Sequence, residues 1–303
     1  NSHKKGVVER KERSELGRLP IGEKGIGRFG VHKLGKVIEL VSKMEGRQEV
    51  ALNIDWGIFE NAEYLSDVNI NIQERKAEIF KDGKTGTYIR IRNLSTNWTR
   101  GMLRNLHRSL TALNSPFDSN QSFKVVLKTD KLEWLEGLIS FKDIKEYALF
   151  ECDMKLEKNE ITKFEYNFRP YDVMYGISKR KVVFDKTVIM RKRVNKNGKN
   201  DFEDINLSKY EIGDIRIKIY AFDRDSSILN NFIPDKAAFK NYLDENGGIS
   251  VFRDGMRILD YGEPDNDWLG LDLKRVNAPT KNLSNNIILG AVYLDRDNSG
   301  DLK

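Results

Sequence analysis

The chain has 303 residues, 39% hydrophobic and 32% charged, with a net charge of +6. That is enough apolar material for two cored domains, and no uninterrupted apolar run reaches the ~18 residues a membrane-spanning helix needs. The lone cysteine, Cys152, excludes an internal disulfide, and the polar, basic start from Asn1 to Arg13 lacks the apolar segment of a secretory signal, so a cytoplasmic location is expected.

From Asn1 to Pro20 the sequence is polar and loop-like. A glycine-dense run, Ile21 to Gly30, then leads into Val31–Gly35, a predicted short helix ending near Gly35. Lys36–Val41 and Val50–Ile54 read as strands around a polar turn at Lys43–Gln48. Thr87–Arg92 alternates, with Ile89 and Ile91 on one face and Arg90 and Arg92 on the other. Trp98, Met102, Leu106, Leu110 and Leu113 set an apolar helical stripe, with Arg100, Arg104 and Arg108 at four-residue spacing on another face. Phe123–Leu127 reads as a buried strand.

The character changes after Thr129. A helix is expected near Lys131–Leu138, then strands at Ile161–Phe168, Val182–Met190 and Ile215–Phe222. Asp235 caps a helix that runs to Leu243 and is ended by Gly247-Gly248. Further strands are expected at Ile249–Phe252, Met256–Leu259 and Ile287–Leu294. The pattern predicts an α/β (α+β) chain in two parts, 1–129 and 130–303.

The glycine run carries the strongest chemical signal. Glycines at 22, 25, 27 and 30 let the backbone approach a ligand closely. A helix starting beside them offers free N–H groups and a positive dipole end to phosphate, with Lys24 and Arg28 adding full charges. A Walker A loop is excluded, because Gly27 is followed by Arg28-Phe29 rather than Lys-Ser/Thr. Gly25-Ile-Gly-Arg-Phe-Gly30 fits the dinucleotide pattern G-x-G-x-x-G, but the preceding Leu16–Gly22 is too broken by Gly and Pro to supply its strand. A plain structural turn is the bland alternative.

The segment Arg18-Leu-Pro-Ile-Gly-Glu-Lys-Gly-Ile-Gly-Arg-Phe-Gly-Val-His-Lys-Leu-Gly35 resembles the second glycine box of the GHKL ATPases, the class of gyrase B, the heat-shock chaperones, histidine kinases, MutL and MORC proteins. It is most similar to prokaryotic MutL- and MORC-like members. Gly86-Thr87-Tyr-Ile-Arg-Ile-Arg-Asn-Leu94 resembles the later "GT" strand of that fold. Three further segments resemble the transducer domain that follows the ATPase domain: Gly247 to Arg257, Tyr261 to Asp272, and Leu283 to Gly290. The resemblance implies a partial Bergerat-type two-layer sandwich over 1–129 and a transducer-like domain over 130–303.

It also implies a function. ATP, with Mg2+, would be held by Gly22, Lys24, Gly25, Ile26, Gly27 and Arg28, with Thr87 near the base. Lys281 or Lys274 would sense the γ-phosphate, and Lys4 or Lys5 would reach from the lid. The implied protein is an ATP-hydrolysing clamp that dimerises when ATP-bound and relays nucleotide state to DNA or a protein partner. The acidic residue, the magnesium-binding asparagine and the D-x-G-x-G turn of these ATPases precede the lid, and no equivalent follows Asn1. The chain therefore reads as lacking that N-terminal portion, with no catalytic residue of its own and no ATPase activity alone.

Outside the glycine run, His32 and His107 have no partner at metal-ligand spacing. The Asp260, Asp265, Asp267 and Asp272 cluster fits turns better than a calcium loop. Residues 179–199 hold nine Lys or Arg against one acid, Asp185. Lys179, Arg180, Lys181, Arg191, Lys192 and Arg193 are thus candidates for a basic hairpin laid on phosphates, against a reading as solvated charge. The rival function is a non-catalytic nucleic-acid- or protein-binding module using that hairpin. A histidine-kinase-like phosphotransferase is a third, disfavoured by the transducer resemblance.

Overall fold

The computed structural model describes residues 26–61, 70–118, 124–184, 186–196, 199–205, 207, 210–278, 282–295 and 298–300. Mixed helices and sheets fall into two compact units, Asn1–Thr99 and Arg100–Lys303. The division comes before the compositional change near Thr129, because the helix that follows Trp98 is tied to later chain: its Arg104 donates to the carbonyls of Trp134 and Glu136.

In the first unit, Ile26–Lys33 forms a 3-10 helix. Strands β1 (Gly35–Lys43), β2 (Glu49–Asp55), β3 (Asn71–Arg75) and β4 (Gly86–Leu94) make an antiparallel four-stranded sheet in the order β3-β2-β1-β4. The short helix α1 (Trp56–Asn61) continues from β2. Register sets Leu40 opposite both Leu52 and Ile89, and Ile38 opposite both Ile54 and Ile91. Period-two alternation therefore gathers these aliphatics on one face. Glu39 on the other face pairs with Arg90 and Arg92 at 3.5 and 3.2 Å. The aliphatic face stays open at several points, with Ile72 66%, Ile89 47% and Val50 40% exposed.

The second unit begins with α2 (Arg100–Thr111). Its buried residue is Leu103, whereas Trp98 and Met102 of the expected stripe are 37% and 38% exposed. Its Arg104 and Arg108 are half-buried and donate to backbone carbonyls of the later chain. After a 3-10 turn at Leu132–Leu135 comes α3 (Phe141–Ile144), opened by a reciprocal cap between Ser140 and Asp143.

Strands β5 (Phe150–Glu157), β6 (Glu160–Phe168), β7 (Arg180–Phe184), β8 (Val188–Ile189), β11 (Ile215–Ala221), β12 (Gly248–Arg253), β13 (Met256–Ile258) and β14 (Ile288–Leu294) form an eight-stranded sheet. Its order is β13-β12-β14-β11-β5-β6-β7, with β8 also on β6. All pairings are antiparallel except β12 with β14. A separate hairpin joins β9 (Arg191–Lys196) to β10 (Lys199–Asp204).

Helices α4 (Ser226–Phe232) and α5 (Lys236–Asn246) cover one face of the large sheet. Phe222, Leu229, Phe239, Leu243 and Leu289 form its main core there, with Phe141 from α3. Asp235 caps α5 as expected, its carboxylate accepting from the Ala238 N–H at 2.9 Å. The last helix, α6 (Leu271–Asn277), is held at its start by Asp267, which accepts from Leu271 and Asp272 N–H groups at 2.8 Å each. That role accounts for Asp267 of the aspartate cluster. Gly262 (φ +73°) lies so near β12 that a Cβ there would meet the Ser250 nitrogen at 2.7 Å, which is why no side chain fits.

Four expected elements differ, the first being the short helix expected at Val31–Gly35, which is a 3-10 helix at Ile26–Lys33 with Gly35 already in β1. Of the buried strand expected at Phe123–Leu127, residues 124–127 form no strand and Phe123 lies outside the described residues; an apolar run makes a strand only when a ladder partner is present. The helix near Lys131–Leu138 reduces to the Leu132–Leu135 turn. The run Val182–Met190 splits into β7 and β8, both on β6.

Candidate functional site

Gly22, Lys24, Gly25 and Lys281 lie outside the described residues, as do Lys4 and Lys5. Ile26, Gly27 and Arg28 open the 3-10 helix, which packs against β1. Thr87, the second residue of β4, is exposed and pairs with Ser42. It shares its face with Ile89 and Ile91, so the open aliphatic face ends at its hydroxyl. Gly86 has φ +149°, and a Cβ there would press on the Phe80 ring at 3.0 Å. Lys274, the alternative sensor, sits on α6 and donates to the Leu269 carbonyl at 2.9 Å.

The loop between β3 and β4 is set by a group that the sequence does not flag. Glu49 is fully buried at the start of β2. Its carboxylate accepts from Arg75 Nε at 3.0 Å and from the backbone N–H groups of Glu78, Ile79 and Phe80 at 3.2, 3.0 and 3.0 Å. Burial pushes its pKa up, but the Phe80 and Ile79 amides, Arg75 and the Glu78 amide outweigh this, and the carboxyl titrates below its ordinary value. The chain entering Gly86-Thr87 is thereby fixed at Phe80, the residue that meets Gly86. Nothing local announces this role, because the donors lie 26 to 31 residues away.

The six basic candidates divide between two places. On the edge of the large sheet, Lys181 pairs with Glu165 at 3.1 Å and Arg180 lies over the Phe168 ring at 5.1 Å. On the β9–β10 hairpin, Arg191 pairs with Asp204 at 2.8 Å and Lys192 with Glu203 at 3.6 Å. Arg193 is registered opposite Phe202, and Lys179 is exposed. The basic strand β9 is thus matched by a more acidic one, β10, which starts at residue 199, where the basic segment ends. Two of the β9 cations, Arg191 and Lys192, are paired within the hairpin, which weakens its field on a polyanion.

One concavity lies wholly in the second unit. A cavity of about 610 Å³ opens between α2, α5 and the β12–β14 part of the sheet, with Phe117, Tyr242 and Phe252 among its apolar walls. Arg104, Arg108 and Arg257 reach it from two sides. Arg108 donates to the Glu245 carbonyl at 3.2 Å and pairs with Glu263 at 3.3 Å. Arg257, with a side chain only 6% exposed, pairs with the same Glu263 at 3.2 Å. Its Nη2 also donates to the carbonyls of Tyr261 and Gly262 at 3.2 and 2.9 Å. Its Nε is buried with no hydrogen-bond acceptor. Burial lowers the Arg257 pKa, Glu263 raises it, and Arg108 lowers it further. The four-residue arginine spacing was the sequence signal for this site, but Arg257 and Glu263 could not be joined to it from sequence.

Among the described residues, no group of three or more His, Cys, Asp or Glu could hold a metal ion, and no helix is long and apolar enough to cross a membrane. No protein-family model matches the chain, and no curated protein matches it significantly.

Proposed function

We infer that the chain belongs to an ATP-driven conformational clamp of the GHKL class, in which the first unit holds nucleotide and the second relays its state to a DNA or protein partner. The observation that carries this reading is the arrangement around β1. The glycine box leads into a short helix packed on that strand, and the Gly86-Thr87 strand is its hydrogen-bonded neighbour. A sheet with one aliphatic, partly open face is half of a two-layer packing, as a Bergerat sandwich requires.

In this reading Gly22 to Arg28 supply backbone N–H groups and charge to the triphosphate, and Thr87 offers a hydroxyl to the base. Glu49, by fixing the loop before Gly86, is a positioning residue for Thr87. Magnesium accompanies ATP in this class and neutralises its phosphates. No acidic cluster among the described residues fits it, so no residue is assigned to it. Closure of two protomers around the partner when ATP is bound is part of the same proposal. The basic-hairpin alternative gains no support from the ion pairs of β9 with β10.

The test is calorimetric titration of a non-hydrolysable ATP analogue into the intact parent protein and into its Lys24→Ala/Gly25→Ala/Gly27→Ala variant, with folding checked by circular dichroism. Binding by the parent and loss in the folded variant is the expected result. Equal binding by both, or none by either, would sink the phosphate-cradle reading.

A further inference from the structure

We propose that the cavity of the second unit is a binding site for a small amphipathic anion, an oxyanion head group, carboxylate or phosphate, carried on an apolar body.

Size is the first argument. At about 610 Å³ the cavity falls inside the ~300–1,000 Å³ range of small-molecule sites, which combine apolar walls with a few convergent polar groups. Here Phe117, Tyr242 and Phe252 share the lining with the cations Arg104, Arg108 and Arg257.

Charge is the second. Among the lining residues, Arg104, Arg108, Lys142 and Arg257 are cations and Glu245 is the single acid. Behind the wall, Glu263 is shared by Arg108 and Arg257, so one carboxylate serves two guanidinium groups. Arg104 is satisfied by carbonyls alone, those of Trp134 and Glu136, which leaves its charge uncompensated. Positive charge therefore exceeds negative in a partly desolvated place, where such an excess is costly unless an anion joins it.

Geometry is the third. Arg257 is the most buried of these cations, and its Nε–H is the donor that the protein leaves without an acceptor. Its other end is clamped by the Tyr261 and Gly262 carbonyls, and its own backbone N–H is tied to the Leu113 carbonyl at 3.1 Å. The guanidinium is thus pre-oriented, and a head group that accepts from it need not order it first. An oxyanion among the lining guanidinium groups of Arg104, Arg108 and Arg257 gains charge-assisted hydrogen bonds, while its apolar body replaces water against Phe117, Tyr242 and Phe252. This site is separate from the nucleotide reading and survives its failure.

Decanoate, decyl phosphate and decanol, titrated below their micellar concentrations into the full 303-residue chain, share one apolar body and differ in head group. At least one oxyanion is expected to bind about tenfold or more tightly than decanol, and Arg108→Gln to reduce that preference severalfold. Because Arg108 also braces α2, a second variant, Ala238→Phe, which fills the cavity from α5, is expected to abolish binding of all three while circular dichroism stays unchanged. Decanol binding as tightly as both oxyanions, no binding by either oxyanion, or oxyanion binding untouched by Ala238→Phe would each overturn the proposal.

Discussion

The two sheets are stabilised in different ways. Among the described residues of the first unit, Val41 and the carboxylate Glu49 are fully buried, and much of the aliphatic face is partly open. In the second, Phe222, Phe239 and Leu243 are almost completely buried and pack as one continuous layer between sheet and helices. One sheet is held by its ladder and by a polar pin, the other by an aromatic core. A hydrophobic core loses stability in proportion to volume removed, whereas a hydrogen-bonded ion loses it with charge and pH. The two units should therefore respond to different perturbations.

The largest effect expected is Phe239→Ala. Removing a fully buried ring leaves a cavity in the main core, and the loss should be ~3–5 kcal/mol, read by denaturant unfolding of the second unit. A loss below ~1 kcal/mol would mean that α5 relaxes into the gap and the layer is not close-packed.

Next comes Glu49→Gln, which replaces an ion accepting from four donors by a neutral amide. Hydrogen exchange at the Glu78, Ile79 and Phe80 amides should quicken by an order of magnitude or more, with Thr87 exchange following if the loop positions it. Acid should mimic the change. The folded pKa of Glu49 lies below the ordinary 4.5, so its stabilisation is complete above that value and is lost as the pH falls through the folded pKa. Protection of these amides that persists unchanged in Glu49→Gln would remove the polar pin from the comparison.

The smallest is Asp235→Ala, which removes the cap of α5 and should cost ~1 kcal/mol, measurable as a shift in the same unfolding transition as Phe239→Ala. Asp235 and Phe239 sit one helical turn apart, the Asp235 carbonyl accepting from the Phe239 N–H at 3.0 Å, so the double variant is expected to depart from additivity.

What could be read from the sequence depended on how local the cause was. The helix α5 was legible from end to end, because Asp235, the apolar spacing and Gly247-Gly248 all act within a few residues. The β1–β2 hairpin and β4 were equally plain from alternation and a polar turn. Residues 124–127 show the limit, since their apolar run has no partner strand to make it a strand. Val182–Met190 read as one strand because its composition does not reveal the break between β7 and β8. At the sites, arginine spacing on α2 was visible but its partners were not, because the carbonyls that accept from Arg104 and Arg108 lie beyond residue 130. The acidic strand that offsets the basic one begins where the basic segment stops, so counting charge over 179–199 missed it. Glu49 was invisible for the same reason: a glutamate opening a strand is ordinary until three distant amides converge on it.

The position of β14 has a consequence for how the molecule is made. This strand sits between β12 and β11 and bonds to both, parallel to one and antiparallel to the other, yet it follows both in the chain. Until residues 288–294 have left the ribosome, the strands on its two sides have no hydrogen-bonded bridge, and each presents an unpaired edge. Completion of the sheet must wait for a late, long-range insertion, which is the kind of contact that slows folding and leaves intermediates open to misassembly.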